Sequence, residues 1–142
     1  MLVAEILKSK GDGVYTLGGG ASLKEAAASL VARKVGALVV VEGDRVTGIL
    51  SERDIVRAIA EHGEAALAAP ASDYMTRDVI FAQPGETIDA LMLRMTDRRV
   101  RHLPVMHEQR LSGVVSIGDV VKCKIAEATH EAETLKTYIT SG

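Results

Sequence analysis

Aromatic residues and cysteine are scarce in this sequence, which has no tryptophan, one phenylalanine and one cysteine among 142 residues. With Cys123 alone, an internal disulfide and a metal site built on several cysteines are both excluded. With Phe81 alone, the chain lacks the aromatic platforms on which single-stranded nucleic acids stack. The formal net charge of −2 is also unlike the strongly basic surface of most nucleic-acid-binding domains. We therefore predict neither a metal site nor a nucleic-acid partner.

Long apolar runs are absent as well. No stretch approaches the roughly 18 apolar residues of a membrane-spanning helix, and the N-terminus has no signal-peptide pattern. With 47% hydrophobic and 25% charged residues, the composition is that of an ordinary globular domain with a substantial core. No nucleophile, base and orienting group stand out as a catalytic set. The sequence thus predicts a soluble cytoplasmic protein without a membrane partner and without catalytic activity.

One motif occurs twice: residues 48–54 read GILSERD, and residues 113–119 read GVVSIGD. Gly48 and Gly113 lie 65 positions apart, as do Asp54 and Asp119. The same spacing relates equivalent positions along both copies without a gap. Such a register indicates a duplicated supersecondary unit that buries its apolar face against its own copy. A function would then occur twice, or at the junction of the two copies.

The periodicity of each copy predicts the element order strand, helix, strand, strand, helix. In the first copy, the short helix over residues 52–61 should turn Ile55, Val56 and Ile59 inward. The second copy should begin with a strand at residues 78–81. We predict five divisions: an N-terminal helix and lead-in over residues 1–12 with a break at Gly11-Asp12-Gly13, the first repeat over 13–62, a linker over 63–77, the second repeat over 78–125, and a helical tail over 126–142.

Each copy of the motif carries Ser-x-x-Asp where a strand passes into a helix, as Ser51 with Asp54 and Ser116 with Asp119. A carboxylate can accept both hydroxyl protons of a ribose diol, and the hydroxyl and free N–H groups at a helix start suit a phosphate. The same pattern is also a plain capping box, which would contribute about 0.5 to 2 kcal/mol of stability and no binding. The two interpretations are compatible, because a capping aspartate can still present its outer oxygen to a ligand.

The order of elements, the doubled motif and the segment RHLPV at residues 101–105 together resemble a tandem pair of CBS domains, the Bateman module. The resemblance covers essentially the whole chain and is to the stand-alone bacterial proteins with two repeats. It implies an α/β (α+β) fold in which two pseudo-symmetric repeats pack sheet to sheet. It also implies an adenine nucleotide (AMP, ADP, ATP or NAD(H)) bound between the repeats as a ligand rather than as a catalytic cofactor. A homodimer formed through the helices of the repeats, and a regulated partner protein, are further implications.

The resemblance assigns candidate binding residues to two clefts. The nucleotide-binding candidates at the first cleft are Ser51, Arg53, Asp54, Val100, Arg101 and His102. Those at the second cleft are Ser116, Asp119, Lys10 and Gly36, while Tyr15 and Ile80 belong to extended segments whose backbone could read the adenine. Because charge-assisted bonds to phosphate are strong, the first cleft, with Arg53, Arg101 and His102, should prefer phosphorylated ligands. The second cleft, faced by Gly36 and its neighbours, should be roomier and weaker.

An alternative function is a structural or interaction module whose clefts stay empty and whose helices bind a partner. Its apolar contacts would come from the long helices and from Leu135, Tyr138 and Ile139 in the tail. Arg98 and Arg99 follow a helix, and we expect them to complement its C-terminal dipole rather than to bind a ligand.

Overall fold

The computed structural model describes residues 1–10 and 14–141, so the predicted break at Gly11-Asp12-Gly13 and the last residue lie outside the described part. The described residues form five α-helices: α1 (Val3–Lys10), α2 (Leu23–Arg33), α3 (Glu52–His62), α4 (Ile88–Arg98) and α5 (Ile117–Ser141). They also form five strands: β1 (Thr16–Gly18), β2 (Ala37–Glu42), β3 (Arg45–Ser51), β4 (His102–His107) and β5 (Arg110–Ser116). Two short 3₁₀ helices cover Gly63–Ala68 and Ala71–Asp73. The predicted mixed α/β (α+β) fold is confirmed.

The first repeat contains a three-stranded sheet that packs with α2 and α3. Strands β2 and β3 form an antiparallel hairpin in which Ala37 pairs with Ser51, and β1 runs parallel to β2. Helix α2 begins at a capping box between Ser22 and Glu25 and ends at Lys34, whose φ of 56° lies in the left-handed region. The first four residues of β2 are all buried. This explains why the strand is a continuous apolar run rather than an alternating one.

The second repeat has the same hairpin but lacks the predicted strand at residues 78–81, and its described residues form a two-stranded sheet. In the first repeat, the N–H of Val39 donates to the carbonyl of Tyr15 over 3.4 Å. The position equivalent to Val39 is Pro104, which has no N–H to donate. The pairing is therefore reduced to one β-bridge between Ala82 and Val105. A single proline thus explains the difference between the two sheets.

Each repeat is completed by the segment that precedes the other repeat. Helix α1, which precedes the first repeat, places Val3 and Ile6 in the core of the second. The segment predicted as a linker over residues 63–77 instead forms the two 3₁₀ helices, and its Ala66, Ala71 and Met75 lie in the core of the first repeat. The two lead-in segments are therefore exchanged between the repeats, in keeping with the pseudo-symmetry.

Two apolar residues of α3 that we expected to face inward are exposed. Ile55 and Ala58 are buried, but Val56 and Ile59 are 65% and 41% exposed. Residues three apart, such as 55 and 58, share one face of a helix, and only this narrow face meets the core of the first repeat. On α2, Val31 is likewise 79% exposed. None of the described helices combines the length and the apolar composition needed to cross a membrane.

Candidate functional site

The first Ser-x-x-Asp motif lies at the corner where β3 passes into α3. The Oγ of Ser51 accepts from the N–H of Asp54 over 3.3 Å, and Oδ2 of Asp54 accepts from the N–H of Ser51 over 2.8 Å. This is a complete capping box, so the capping interpretation is confirmed. The other oxygen, Oδ1, accepts from Arg57 over 2.5 Å. Asp54 is 5% exposed and is the one buried charged side chain of the described residues.

A cavity of about 250 Å³ opens beside this corner, and we call it the Asp54 cleft. Both repeats contribute to it: the first brings the end of β3 and the start of α3, and the second brings the start of β4. The cleft is lined by Gly36, Ala37, Ile49, Ser51, Glu52, Arg53, Asp54, Arg57, Thr76, Arg99, Val100, Arg101 and His102. The structure therefore brings the Ser-x-x-Asp corner of one repeat against the basic segment of the other.

The position of Gly36 differs from our prediction. We expected Gly36 and Ala37 to face the cleft of Asp119, but both line the Asp54 cleft. A Cβ atom at Gly36 would lie 3.2 Å from Nε2 of His102. The starts of β2 and β4 are thus adjacent, and the missing side chain at Gly36 leaves room for the imidazole of His102.

The imidazole of His102 is half-buried in this cleft. Burial lowers its pKa below the ordinary value of 6.5, although the nearby carboxylate of Glu52 acts in the opposite direction. The lowered pKa favours the neutral form of the imidazole at pH 7. That His102 adds a cation to the cleft stays a prediction, and its neutral form offers one donor and one acceptor for hydrogen bonds.

Four arginines surround the Asp54 cleft. Arg57 pairs with Asp54, but the side chains of Arg53, Arg99 and Arg101 form no ion pair or hydrogen bond with any described residue. These three also line an adjoining open cavity of about 380 Å³, together with Met95, Thr96, Val100 and Ile117. Unpaired guanidinium groups that converge on one cavity, in a chain of net charge −2, favour an anionic ligand.

The second Ser-x-x-Asp motif has the same local geometry but is occupied by a side chain of the protein. The N–H of Ser116 donates to Oδ2 of Asp119 over 2.9 Å, and Oγ of Ser116 accepts from the N–H of Asp119 over 3.1 Å. Nζ of Lys10, from α1, lies 2.7 Å from the same Oδ2 and 2.8 Å from the carbonyl oxygen of Val114. Partial burial opposes ionisation of Asp119, but the bonds from Lys10 and Ser116 hold its pKa below the ordinary value.

The CBS-domain family model matches residues 3–61 and 71–125. The chain belongs to the CBS-domain family. A CBS domain-containing protein of Arabidopsis thaliana, CBSX3, is 35% identical over 99% of this chain and 72% of its own length. It is named a mitochondrial protein, so the predicted cytoplasmic location stays a prediction.

Solved structures of CBS proteins share the fold. The crystal structure of a CBS-domain containing protein from Agrobacterium tumefaciens is 45% identical, covers 87% of this chain and 99% of its own, and superposes with a TM-score of 0.85. A CBS domain protein from Pyrobaculum aerophilum, complexed with AMP, is 27% identical and covers 84% of this chain and 89% of its own, with a TM-score of 0.75. The predicted tandem CBS pair is confirmed.

The CBS fold distributes the predicted binding residues unevenly. Those that it brings to the Asp54 cleft are Gly36, Ser51, Arg53, Asp54, Val100, Arg101 and His102. Lys10, Ser116 and Asp119 form the second corner. Tyr15 and Ile80 line neither of the two cavities described above: the guanidinium of Arg33 lies 4.6 Å from the ring centroid of Tyr15, and Ile80 packs against the core of the second repeat.

Sequence reasoning missed two arginines of the Asp54 cleft. Arg57 follows Asp54 by three residues on α3, and this spacing alone could have indicated the ion pair. Arg99 carried no such signal. Arg99 caps the C-terminus of α4 in the left-handed conformation, with a φ of 53°, and this turn leads the chain towards the cleft. Among residues 1–10 and 14–141, no group of three His, Cys, Asp or Glu side chains could hold a metal ion.

Proposed function

We propose that this protein is a regulatory module that binds an adenine nucleotide in the Asp54 cleft and catalyses no reaction. One observation carries the proposal: the buried carboxylate of Asp54 and the unpaired Arg53, Arg99 and Arg101 meet in one cleft between the two CBS repeats. The CBS protein of Pyrobaculum aerophilum, which was solved with AMP, supports this class of ligand. The cytoplasmic location and the regulation of a partner protein belong to the same proposal.

Each part of a nucleotide has a suitable partner in the cleft. Asp54 lines the cleft, and its Oδ1 can accept from the ribose hydroxyls in addition to Arg57. The aliphatic side chains of Ile49 and Val100 offer an apolar wall for the adenine. The arginines can then hold one or more phosphate groups. In the second corner, by contrast, a ribose would have to displace Nζ of Lys10 from Asp119, so we propose the Asp54 cleft as the stronger site.

A thermal-shift screen tests the function directly. The protein is heated alone and with AMP, ADP, ATP, NAD, NADH or S-adenosylmethionine, each at millimolar concentration. A ligand present at 100 times its dissociation constant adds about 2.7 kcal/mol to the free energy of unfolding, which is easily measured as a rise in melting temperature. If none of these ligands shifts the transition and none co-purifies in native mass spectra, the alternative of an interaction module without a nucleotide is favoured.

The unpaired arginines should give the cleft its preference for phosphate. Replacing Arg99 or Arg101 by glutamine is expected to weaken AMP binding about tenfold, since a hydrogen bond to a charged group contributes roughly 1.5 kcal/mol. Adenosine affinity should change little. The matched control is Arg98→Gln, one residue earlier, because Arg98 ends α4 without lining the cleft. Calorimetric titrations decide, and an equal loss in the Arg98 and Arg99 variants would assign the effect to overall charge.

The proposal includes a homodimer that forms through the helices of the CBS repeats. Several of their apolar side chains are exposed, namely Val31, Val56, Ile59, Leu93 and Val121. Light scattering at high micromolar concentration should therefore give twice the chain mass of 15.1 kDa. Val56→Lys should weaken the dimer because a charge would enter an apolar contact, whereas Glu61→Lys on the same helix should not. A wild-type mass that stays at 15.1 kDa would contradict the homodimer.

A further inference from the structure

Helix α5 is much longer than the repeat requires. Its equivalent in the first repeat, α3, ends at His62, which corresponds to position 127 after the shift of 65 residues. The CBS family model ends at residue 125, but α5 continues to Ser141 and has 25 residues in all. All residues from 128 to 140 are exposed. An isolated helical segment of this length is only marginally stable in water, so a packing partner would be needed to hold it.

One side of α5 carries small and apolar residues in a strict pattern. They recur at alternating intervals of four and three residues: Val121, Ile125, Ala128, Ala132, Leu135 and Ile139, which we call the α5 seam. Every member is exposed, and the four larger ones are between 48% and 75% exposed. The face of α5 that meets the core is a different one, formed by Val120 and Cys123.

This spacing is diagnostic because it repeats every seven residues. A helix that packs on a globular core needs a broader apolar face with a period near 3.6, whereas a strict four-three alternation keeps one narrow line of contact between two helices. Alanine at the two central positions, 128 and 132, allows two helix backbones to approach closely. The α5 seam therefore has the geometry of a coiled-coil contact.

The charges beside the seam favour a second copy of the same helix in parallel orientation. In the heptad, Ile125, Ala132 and Ile139 occupy a positions, which places Glu131 at g and Lys136 at the following e position. In a parallel pair, these two flanking positions meet across the interface, so Glu131 of each copy would face Lys136 of the other. Antiparallel pairing with the alanines in contact would instead bring Lys122 beside Lys136 of the second copy.

We propose that α5 forms a parallel two-stranded coiled coil with α5 of a second copy through the α5 seam. This arrangement is independent of nucleotide binding. The coiled coil adds one specific contact to the homodimer proposed above. The other contacts of that dimer could form in its absence.

Cysteine cross-linking tests the register. In a Cys123→Ala background, Ala128→Cys places thiols at facing seam positions, and mild oxidation should convert most of the protein into a disulfide-linked dimer on a non-reducing gel. The matched control is His130→Cys, on the outer face of the same turn, which should stay largely monomeric on the gel. Equal cross-linking of both variants would indicate random collision, and no cross-linking of Ala128→Cys would exclude the parallel register; either result overturns the proposal.

A charge in the seam tests its contribution to the dimer. Leu135→Lys should raise the dimer dissociation constant roughly tenfold or more in sedimentation or light-scattering titrations, whereas Thr134→Lys, beside the seam, should change it little. Unchanged dimerisation of Leu135→Lys would overturn the coiled coil while leaving a dimer through the other CBS helices intact. Titration of both variants with AMP gives a separate result, because nucleotide binding should be unaffected whether or not the tail pairs.

Discussion

Asp54→Asn is expected to weaken AMP binding by about tenfold to more than a hundredfold in calorimetric titrations. Asparagine keeps one oxygen that can accept from the N–H of Ser51 and cap α3, but it loses the negative charge and the second oxygen, which would accept from the ribose. Hydrogen bonds to a charged group contribute roughly 1.5 to 3 kcal/mol, which corresponds to this range of affinity. The melting temperature should fall only slightly, since Arg57, which loses its ion pair, is more than half exposed.

A second capping box supplies the control for this substitution. Glu25 occupies the same place in the capping box of α2 that Asp54 occupies in that of α3, and it does not line the Asp54 cleft. Glu25→Gln should therefore reduce stability by a similar small amount and leave AMP affinity unchanged. If the Asp54→Asn variant binds AMP as tightly as the wild type does, Asp54 caps α3 and does not bind the nucleotide.

The largest expected loss of stability comes from adding a single methyl group to Gly48. A Cβ atom there would lie 2.5 Å from Sδ of Met75 and 2.9 Å from the carbonyl oxygen of Thr76. The sulfur can move, but the carbonyl is held in the bridge between Thr76 and Ile49. Overpacking of this kind costs about 1 to 3 kcal/mol, so Gly48→Ala should lower the urea midpoint clearly.

Two other glycines make this a graded test. At Gly113, the equivalent position, a Cβ would meet Cδ2 of Leu7 at 2.5 Å, and this side chain can turn away, so Gly113→Ala should cost less than Gly48→Ala. At Gly85, nothing lies within 4 Å, and alanine should be neutral. If Gly85→Ala destabilises the protein as much as Gly48→Ala does, the cost arises from restricting the glycine backbone. The contact of Gly48 with the segment around Met75 would then not be its cause.

Local patterns in the sequence predicted the parts of the fold that depend on neighbouring residues. The hairpins follow from runs of strand-forming residues, and the start of α3 follows from Ser51 and Asp54, whose side chains bond to each other's backbone. The resemblance to CBS domains added one non-local prediction, that Arg101 and His102 of the second repeat face the cleft of Asp54, and both residues do line it.

The errors arise where packing between distant segments decides the outcome. The residues near Ala66 and Ala71 resemble a linker because small side chains bury little area, yet both are buried against the first repeat. Lys10 does lie at the second cleft as predicted, but no local pattern indicated its bond to Asp119, more than a hundred residues away. The strand predicted at residues 78–81 was an error that the sequence itself could have prevented, because Pro104 stands at the position equivalent to Val39.

The exchange of lead-in segments has a consequence for the order in which the chain can fold during synthesis. Helix α1 leaves the ribosome early, but Val3 and Ile6 have no core to join until Leu91, Val115 and Val120 have been made. The first repeat needs only the segment that directly follows it, so it can be completed first. Contacts between such distant parts of a chain form slowly, because a long loop must close before they gain any free energy. The second repeat therefore becomes stable last, and until then Val3 and Ile6 are exposed in a segment that a chaperone could bind.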